Sequence, residues 1–264
     1  MGVVTLSNII VLKVGGSTID ELSDQFFANI LTLQQSGTKP IIVHGGGPAI
    51  KDMLMKLNIE TEFIDGLRKT TEPVMDVVEM VLTGTVNNAL TRKLNFSGIQ
   101  AVGLSGSDFQ LLVAEPKNFE RYGYVGEITG VNVSFLQTLI DEGIVPVISP
   151  IAIGEDGIRY NVNADTVAGA VAREIGASQL IFVTDVPGIL KDEQLLEHVD
   201  EEEIHHLIES GVIYGGMLPK VQAALNSLND ELKEVMIVNG TDSLIGANNQ
   251  LIGTKIVKTT VGER

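Results

Sequence analysis

The sequence predicts an α/β fold, a three-layer αβα sandwich with a mostly parallel central sheet. Short, wholly apolar runs recur at 9–12, 40–43, 145–148 and 180–183, the composition of strands buried on both faces. Segments of helical periodicity lie between them, and turns rich in glycine or polar residues follow them. The alternation runs end to end without a linker or a repeat, interrupted only by hairpins.

The composition narrows the class. A chain of 264 residues is long enough for one large domain or two lobes sharing one sheet. It has no cysteine, which excludes disulfides, thiolate metal sites and a cysteine nucleophile. A formal charge of −16 argues against nucleic acid or an anionic membrane as partner. The longest apolar stretch, near Ile144 to Ile153, is too short and too proline-rich to span a bilayer. No basic segment opens a secretory signal, and Leu6 stands where myristoylation needs Ser or Thr. The protein is therefore expected to be cytoplasmic.

Ile9 to Leu12 reads as a central strand, interrupted by Lys13 and followed by Val14-Gly15-Gly16-Ser17. A lysine at the C-terminal end of a buried strand points to where open α/β sheets bind ligands, and the glycines let backbone N–H groups approach an anion. The plainer reading is a snorkelling lysine before an ordinary turn. A helix is expected over Asp20 to Gln35, ended by Gly37. Pro40 to Val43 is the next strand and runs into His44-Gly45-Gly46-Gly47-Pro48 and a helix from Ala49 to Leu57. Strand, triple glycine and helix start make an anion cradle, with a tight βα turn as the alternative. His44 is read as orienting that loop rather than moving protons.

Asp65 to Thr70 reads as a turn and short strand in which Arg68 offers a planar fork for a carboxylate. A helix over Glu72 to Leu94 starts with Pro73. Gly84 is expected to thin it where another element or a second subunit packs closely. Strands at 100–104, a hairpin excursion over 112–133, a helix at 135–142 and a hairpin around Glu155-Asp156-Gly157 follow. Asn161-Val162-Asn163-Ala164-Asp165 then crowds two amides and a carboxylate ahead of a small-residue helix, where a helix cap and ligand contacts are expected. Thr184 to Leu190 again sets polar residues after a strand. Asp200 caps a helix to Ser210 whose His205 and His206 are read as a solvated face. Lys220, in the first turn of the last long helix, opposes the helix dipole unless an anion is near.

Lys13-Val14-Gly15-Gly16, His44-Gly45-Gly46-Gly47, Gly66-Leu67-Arg68, the motif at 161–165, Thr184 to Leu190 and Gly215-Gly216-Met217-Leu218-Pro219-Lys220, in this order, resemble the amino acid kinase family over nearly the whole chain. The resemblance implies ATP, carried with Mg2+, as donor and the side-chain carboxylate of N-acetyl-L-glutamate as acceptor, with no protein-only metal site. It gives Lys13 and Lys220 the transferred phosphoryl group, with Asp165 organising both. Gly46 and Gly47 match contacts to acceptor and phosphate, Arg68 the clamp on the α-carboxylate, and Asn161 a further acceptor contact. Gly15, Gly16, Asp185, Gly188, Ile189, Leu190, Ile213, Tyr214, Gly216 and Met217 match the nucleotide site. A single domain over 1–264 is implied, with acceptor and dimer contacts in about 1–160 and the nucleotide in about 161–264.

Two stretches depart from the family pattern: Lys69-Thr70-Thr71 replaces a more apolar segment, and Phe109 replaces a glycine. Arginine-inhibited hexameric members carry an extra N-terminal helix, whereas twelve residues precede Lys13. A homodimer without arginine inhibition is therefore expected. Alternatives are a family enzyme for another small carboxylate or carbamate, or a non-catalytic nucleotide or amino acid sensor. Retention of both lysines and Asp165 weighs against the sensor, and the missing dinucleotide fingerprint against a dehydrogenase.

Overall fold

The computed structural model describes residues 8–229, 232–246 and 250–258. The first seven residues, on which the myristoylation reading and part of the arginine reading rest, lie outside the described residues. Strand β1 (Ile9–Val14) leads through a 3₁₀ turn at Ile19–Glu21 into α1 (Asp24–Gln35), β2 (Lys39–His44) and α2 (Gly47–Lys56). The single helix expected over 20–35 is broken. Leu22 is extended, with ψ 124, and the Ser23 side chain caps a fresh start by accepting from the Phe26 N–H at 3.1 Å. A hairpin of β3 (Phe63–Ile64) and β4 (Leu67–Arg68) turns on Asp65-Gly66, both at positive φ.

The helix expected over 72–94 is α3 (Glu72–Glu79), a π-helical segment at Met80–Val86 and α4 (Asn87–Phe96) in succession. Its buried positions explain the interruption. Val74, Val78, Leu82, Val86, Leu90 and Leu94 are all buried and recur every four residues. An α-helix turns about 100° per residue, so a four-residue repeat drifts about 40° at each step. The wider π segment takes up that lag and keeps the stripe on the sheet. Among the described residues nothing lies within 4 Å of where a side chain on Gly84 would begin, so the close packing expected there is not made by them.

Next come β5 (Ala101–Leu104), β6 (Leu112–Pro116), α5 (Phe119–Tyr122), β7 (Gly126–Val131), α6 (Val133–Asp141), β8 (Val145–Ile148), β9 (Ile151–Ile153) and β10 (Arg159–Asn161). The excursion at 112–133 is thus β6 and β7 with a helical turn between them. The last third holds α7 (Ala164–Glu174), β11 (Gln179–Thr184), a small hairpin of β12 (Leu190–Lys191) and β13 (Gln194–Leu195), then β14 (His198–Asp200) and α8 (Glu201–Glu209). It closes with α9 (Met217–Ser227), β15 (Glu234–Asn239) and β16 (Thr254–Val257).

Eight strands form the main sheet in the order β14-β16-β15-β11-β1-β2-β8-β5, and β10-β9-β6-β7 form a smaller one. From β15 to β5 every pairing in the main sheet is parallel, while β16 runs antiparallel to β15. Alternate residues of β1 feed two cores. Ile9 and Val11 join Leu136, Val167, Ile204 and Val221 on one face; Ile10, Leu12 and Val14 join Phe26, Ile50, Val78 and Leu90 on the other. Helices α6 to α9 therefore cover one face and α1 to α4 the other, which makes the three layers.

Helix α7 starts where it does because the Asn163 side chain accepts from the N–H groups of Asp165, at 2.8 Å, and Thr166, at 3.2 Å. Removing this cap with Asn163→Ala should cost about 1 kcal/mol, while Asn163→Ser should retain most of it. Urea denaturation reads the change as a lower midpoint at unchanged slope.

Candidate active site

The C-terminal ends of β1, β2 and β11 bring the functional residues together. Lys13 lies in register with Val43 of β2 and Phe182 of β11, so its backbone is held from both sides. Its Nζ is 2.8 Å from Asp165 Oδ1, on the first turn of α7. That oxygen is buried, and the ammonium stands against it as an ion pair. A carboxylate oxygen has more than one acceptor site, so the pair leaves it capacity for a further donor.

Lys220 does not share Asp165. Its ammonium pairs instead with Asp185, at the end of β11, whose carboxyl it holds below the usual carboxylate range. The two lysines thus form separate pairs facing one cleft, Lys13 with Asp165 and Lys220 with Asp185. Asp185 also supplies the anion that a lysine in the first turn of α9 requires. The cleft, of about 340 Å³, is lined by both pairs, Gly15, Gly16 and the loop Gly45 to Gly47.

The two glycine turns touch. A Cβ on Gly16 would sit 2.6 Å from the Gly46 nitrogen and 2.8 Å from that of Gly47, both backbone atoms. The Gly45 N–H donates to the Val14 carbonyl at 2.9 Å and ties one turn to the strand bearing the other. Gly47 opens α2, whose first-turn N–H groups have no carbonyl partner within the helix. An anion at this spot meets free N–H groups and the positive end of a helix dipole.

A second cavity of about 200 Å³ shares Gly45, Gly46, Gly47, Asn163 and Ala164 with the first and adds Phe63, Arg68 and Asn161. The Arg68 guanidinium lies 4.7 Å over the Phe63 ring, and burial lowers its pKa. Asn161 Nδ2 donates to Thr70 Oγ1 at 3.1 Å, and the Thr70 hydroxyl donates to the Arg68 carbonyl at 2.8 Å. Asn161 lines the cavity wall with Arg68.

The amino acid kinase family model matches residues 8–239. The chain belongs to the amino acid kinase family. Its curated relatives include acetylglutamate kinases of Halalkalibacterium halodurans, 52% identical over 97% of this chain and 98% of that one, and of Geobacillus kaustophilus, 52% identical over 96% and 98%. Among solved structures, a protein from Streptococcus mutans superposes with a TM-score of 0.82 at 30% identity over 95% of this chain and 98% of that one. Carbamate kinase from Giardia lamblia bound to AMP-PNP superposes with a TM-score of 0.69 at 17% identity, over 96% and 99%, a likeness of fold.

In this amino acid kinase chain Lys13, Gly15, Gly16, Gly46, Gly47, Asp165, Asp185 and Lys220 line one cleft, and Arg68 and Asn161 the cavity beside it. Gly188, Ile189, Leu190, Ile213, Tyr214, Gly216 and Met217 stand outside both. The side chains of Ile189 and Ile213 are buried in the core, and their N–H groups donate to Thr254 Oγ1 and to the Leu207 carbonyl; Leu190 and Tyr214 are exposed. Among the described residues no three His, Asp or Glu side chains converge as a metal-binding set, and His205 and His206 are exposed.

Sequence reasoning missed Phe63 and Thr70. The two-residue turn at Asp65-Gly66 was a usable signal for Phe63, because it fixes Phe63 opposite Arg68. Thr70, one of the departures from the family pattern, is fully buried and joins Asn161 to Arg68. His44 is also fully buried, and burial lowers its pKa from 6.5 to about 4. A ring neutral at pH 7 in the folded state, and away from the cleft, is no general acid there.

The unfolded chain takes up a proton at His44 below about pH 6.5, while the folded chain does so only near pH 4. Stability is therefore lost as pH falls through that window, by about 3 kcal/mol in all. Denaturant titrations from pH 7 to 4 should show this slope in the wild type and a flatter one in His44→Gln.

Proposed function

We propose that the protein transfers the γ-phosphoryl group of ATP to the side-chain carboxylate of N-acetyl-L-glutamate, giving N-acetyl-L-glutamyl 5-phosphate and ADP in arginine biosynthesis. One observation carries the reading. A cleft with two lysines and a cavity with an arginine and an asparagine meet at the same three glycines. The first suits a triphosphate and the second a small carboxylic acid. Relatives about half identical over nearly the full length are acetylglutamate kinases.

The chemistry asks little of general bases. A side-chain carboxyl has a pKa of about 4.3 and is ionised at neutral pH. One of its oxygens attacks the γ-phosphorus, the bond to the β-phosphate bridging oxygen breaks, and ADP leaves with that electron pair. No proton moves. What must be overcome is repulsion between anions and the charge that gathers on the transferred oxygens. Lys13 and Lys220 both line the cleft and meet that charge, and the N–H groups of Gly46 and Gly47 add preorganised donors. Asp165 pairs with Lys13 and Asp185 with Lys220, which holds the ammonium groups at the cleft. Mg2+ enters on the triphosphate. Arg68, seated over the Phe63 ring, takes the α-carboxylate, and Asn161 accepts from the acetamido N–H.

A homodimer goes with this reading. Strand β5 ends the main sheet, and Met80 and Phe96 on the helical rod leading into it are 57% and 96% exposed. We also assign the acceptor to the first half of the chain and most nucleotide contacts to the second.

ADP release with N-acetylglutamate should exceed that with glutamate, aspartate or carbamate by orders of magnitude; equal turnover on all four would defeat the assignment. Lys220→Ala should lower kcat about 10²- to 10³-fold with little change in KM for the acceptor. Arg68→Ala should instead raise that KM about 10- to 100-fold, as expected for losing a hydrogen-bonded charge partner.

A further inference from the structure

A buried polar pair sits one layer behind the glycine loop, on atoms that the transfer itself never touches. Asn87 is the first residue after the π segment and is 3% exposed; His44 ends β2 and is 0% exposed. Asn87 Nδ2 lies 2.8 Å from the Val147 carbonyl oxygen, 3.0 Å from His44 Nε2 and 3.4 Å from the Leu104 carbonyl oxygen. Carbonyl oxygens only accept, so the amide must present its NH₂ group here, and His44 Nε2 must accept. His44 Nδ1 lies 2.9 Å from the Gly45 carbonyl oxygen, so Nδ1 carries the proton. The two deductions agree on one state, a neutral ring protonated at Nδ1.

The surroundings are shaped to admit the amide. A Cβ on Gly103 of β5 would fall 1.9 Å from Asn87 Oδ1, so only glycine leaves room for it. The same helical rod forms the floor of the loop, because a Cβ on Gly46 would come 2.5 Å from Leu82 Cδ2 in the π segment. An apolar pair would join helix and sheet without desolvating two polar groups. What hydrogen bonds add is direction. This chain of bonds runs from the helix, through the ring, to the carbonyl of the first loop residue.

We propose that Asn87 is a positioning residue for phosphoryl transfer: acting through His44, it fixes the Gly45 peptide and so the direction in which the Gly46 and Gly47 N–H groups face the cleft. The kinetic part of this inference rests on the kinase reading above. Its structural part does not.

Nitrogen-15 NMR of the wild-type ring should find the proton on Nδ1. The opposite tautomer would leave nothing to accept from Asn87 and would overturn the proposal without any variant. His44→Gln retains an acceptor near the Nε2 site but loses the donor to Gly45, and His44→Asn retains a donor near Nδ1 but loses the acceptor for Asn87, so each breaks the relay at one end. Both should lower kcat about 10- to 100-fold with KM for MgATP within about threefold. The amide resonances of Gly46 and Gly47 should move in both. Asn87→Ala, where it folds, should match His44→Asn. Folded variants with unchanged kcat and unmoved loop amides would reduce the pair to a core contact, and a loss in His44→Gln with none in His44→Asn or Asn87→Ala would leave the ring alone, without Asn87, holding the Gly45 peptide. Either result overturns the proposal. Should the wild type fail to phosphorylate N-acetylglutamate, the reaction assignment falls, and the loop amides alone decide the positioning role by the same criterion.

Discussion

The contact between Lys13 and Asp165 is the constraint around which the rest is arranged. A largely buried cation at the end of an interior strand is stabilised by a carboxylate, and here that carboxylate comes from another element. Helix α7 supplies it, and the start of α7 is set by the Asn163 cap only two residues earlier. The sheet holds the main chain of one partner and the cap that of the other, so both side chains start from fixed positions within reach of each other. The small residues of α7, Ala168, Ala170 and Ala172, let the helix lie close enough for the pair to form.

The glycines answer to the same closeness. Two turns from neighbouring strands meet back to back, and any side chain on Gly16 would enter the main chain of the other. Charge comes from lysines on distant parts of the chain, whereas uncharged donors come from main chain beside them. An anion is thus met from several directions by groups that need not move to receive it.

Much of this was legible in the sequence, and what was not has physical reasons. Apolar runs gave the interior strands because parallel strands covered on both faces leave no room for polar residues. Lys13, the triple glycine and Asp165 stood out because each breaks a local rule of its element. The pairing of Lys220 with Asp185 did not, since two charges 35 positions apart carry no periodicity. Nor did the break at Leu22, which hangs on a serine cap inside a stretch of continuous helical pattern. The π segment was readable after all: an apolar stripe recurring every fourth residue over twenty positions cannot stay on one side of an ideal α-helix. The mild β12–β13 hairpin left no trace, being two residues per strand.

The two ion pairs at the cleft sum to zero charge, in a molecule whose formal charge is −16. An approaching nucleotide therefore feels net repulsion until it is within about a Debye length, roughly 8 Å at physiological ionic strength, of the lysines themselves. Added electrolyte weakens the distant repulsion more than the close attraction. Capture of an anionic substrate by this surface should hence quicken as salt rises, the reverse of what an electropositive funnel produces.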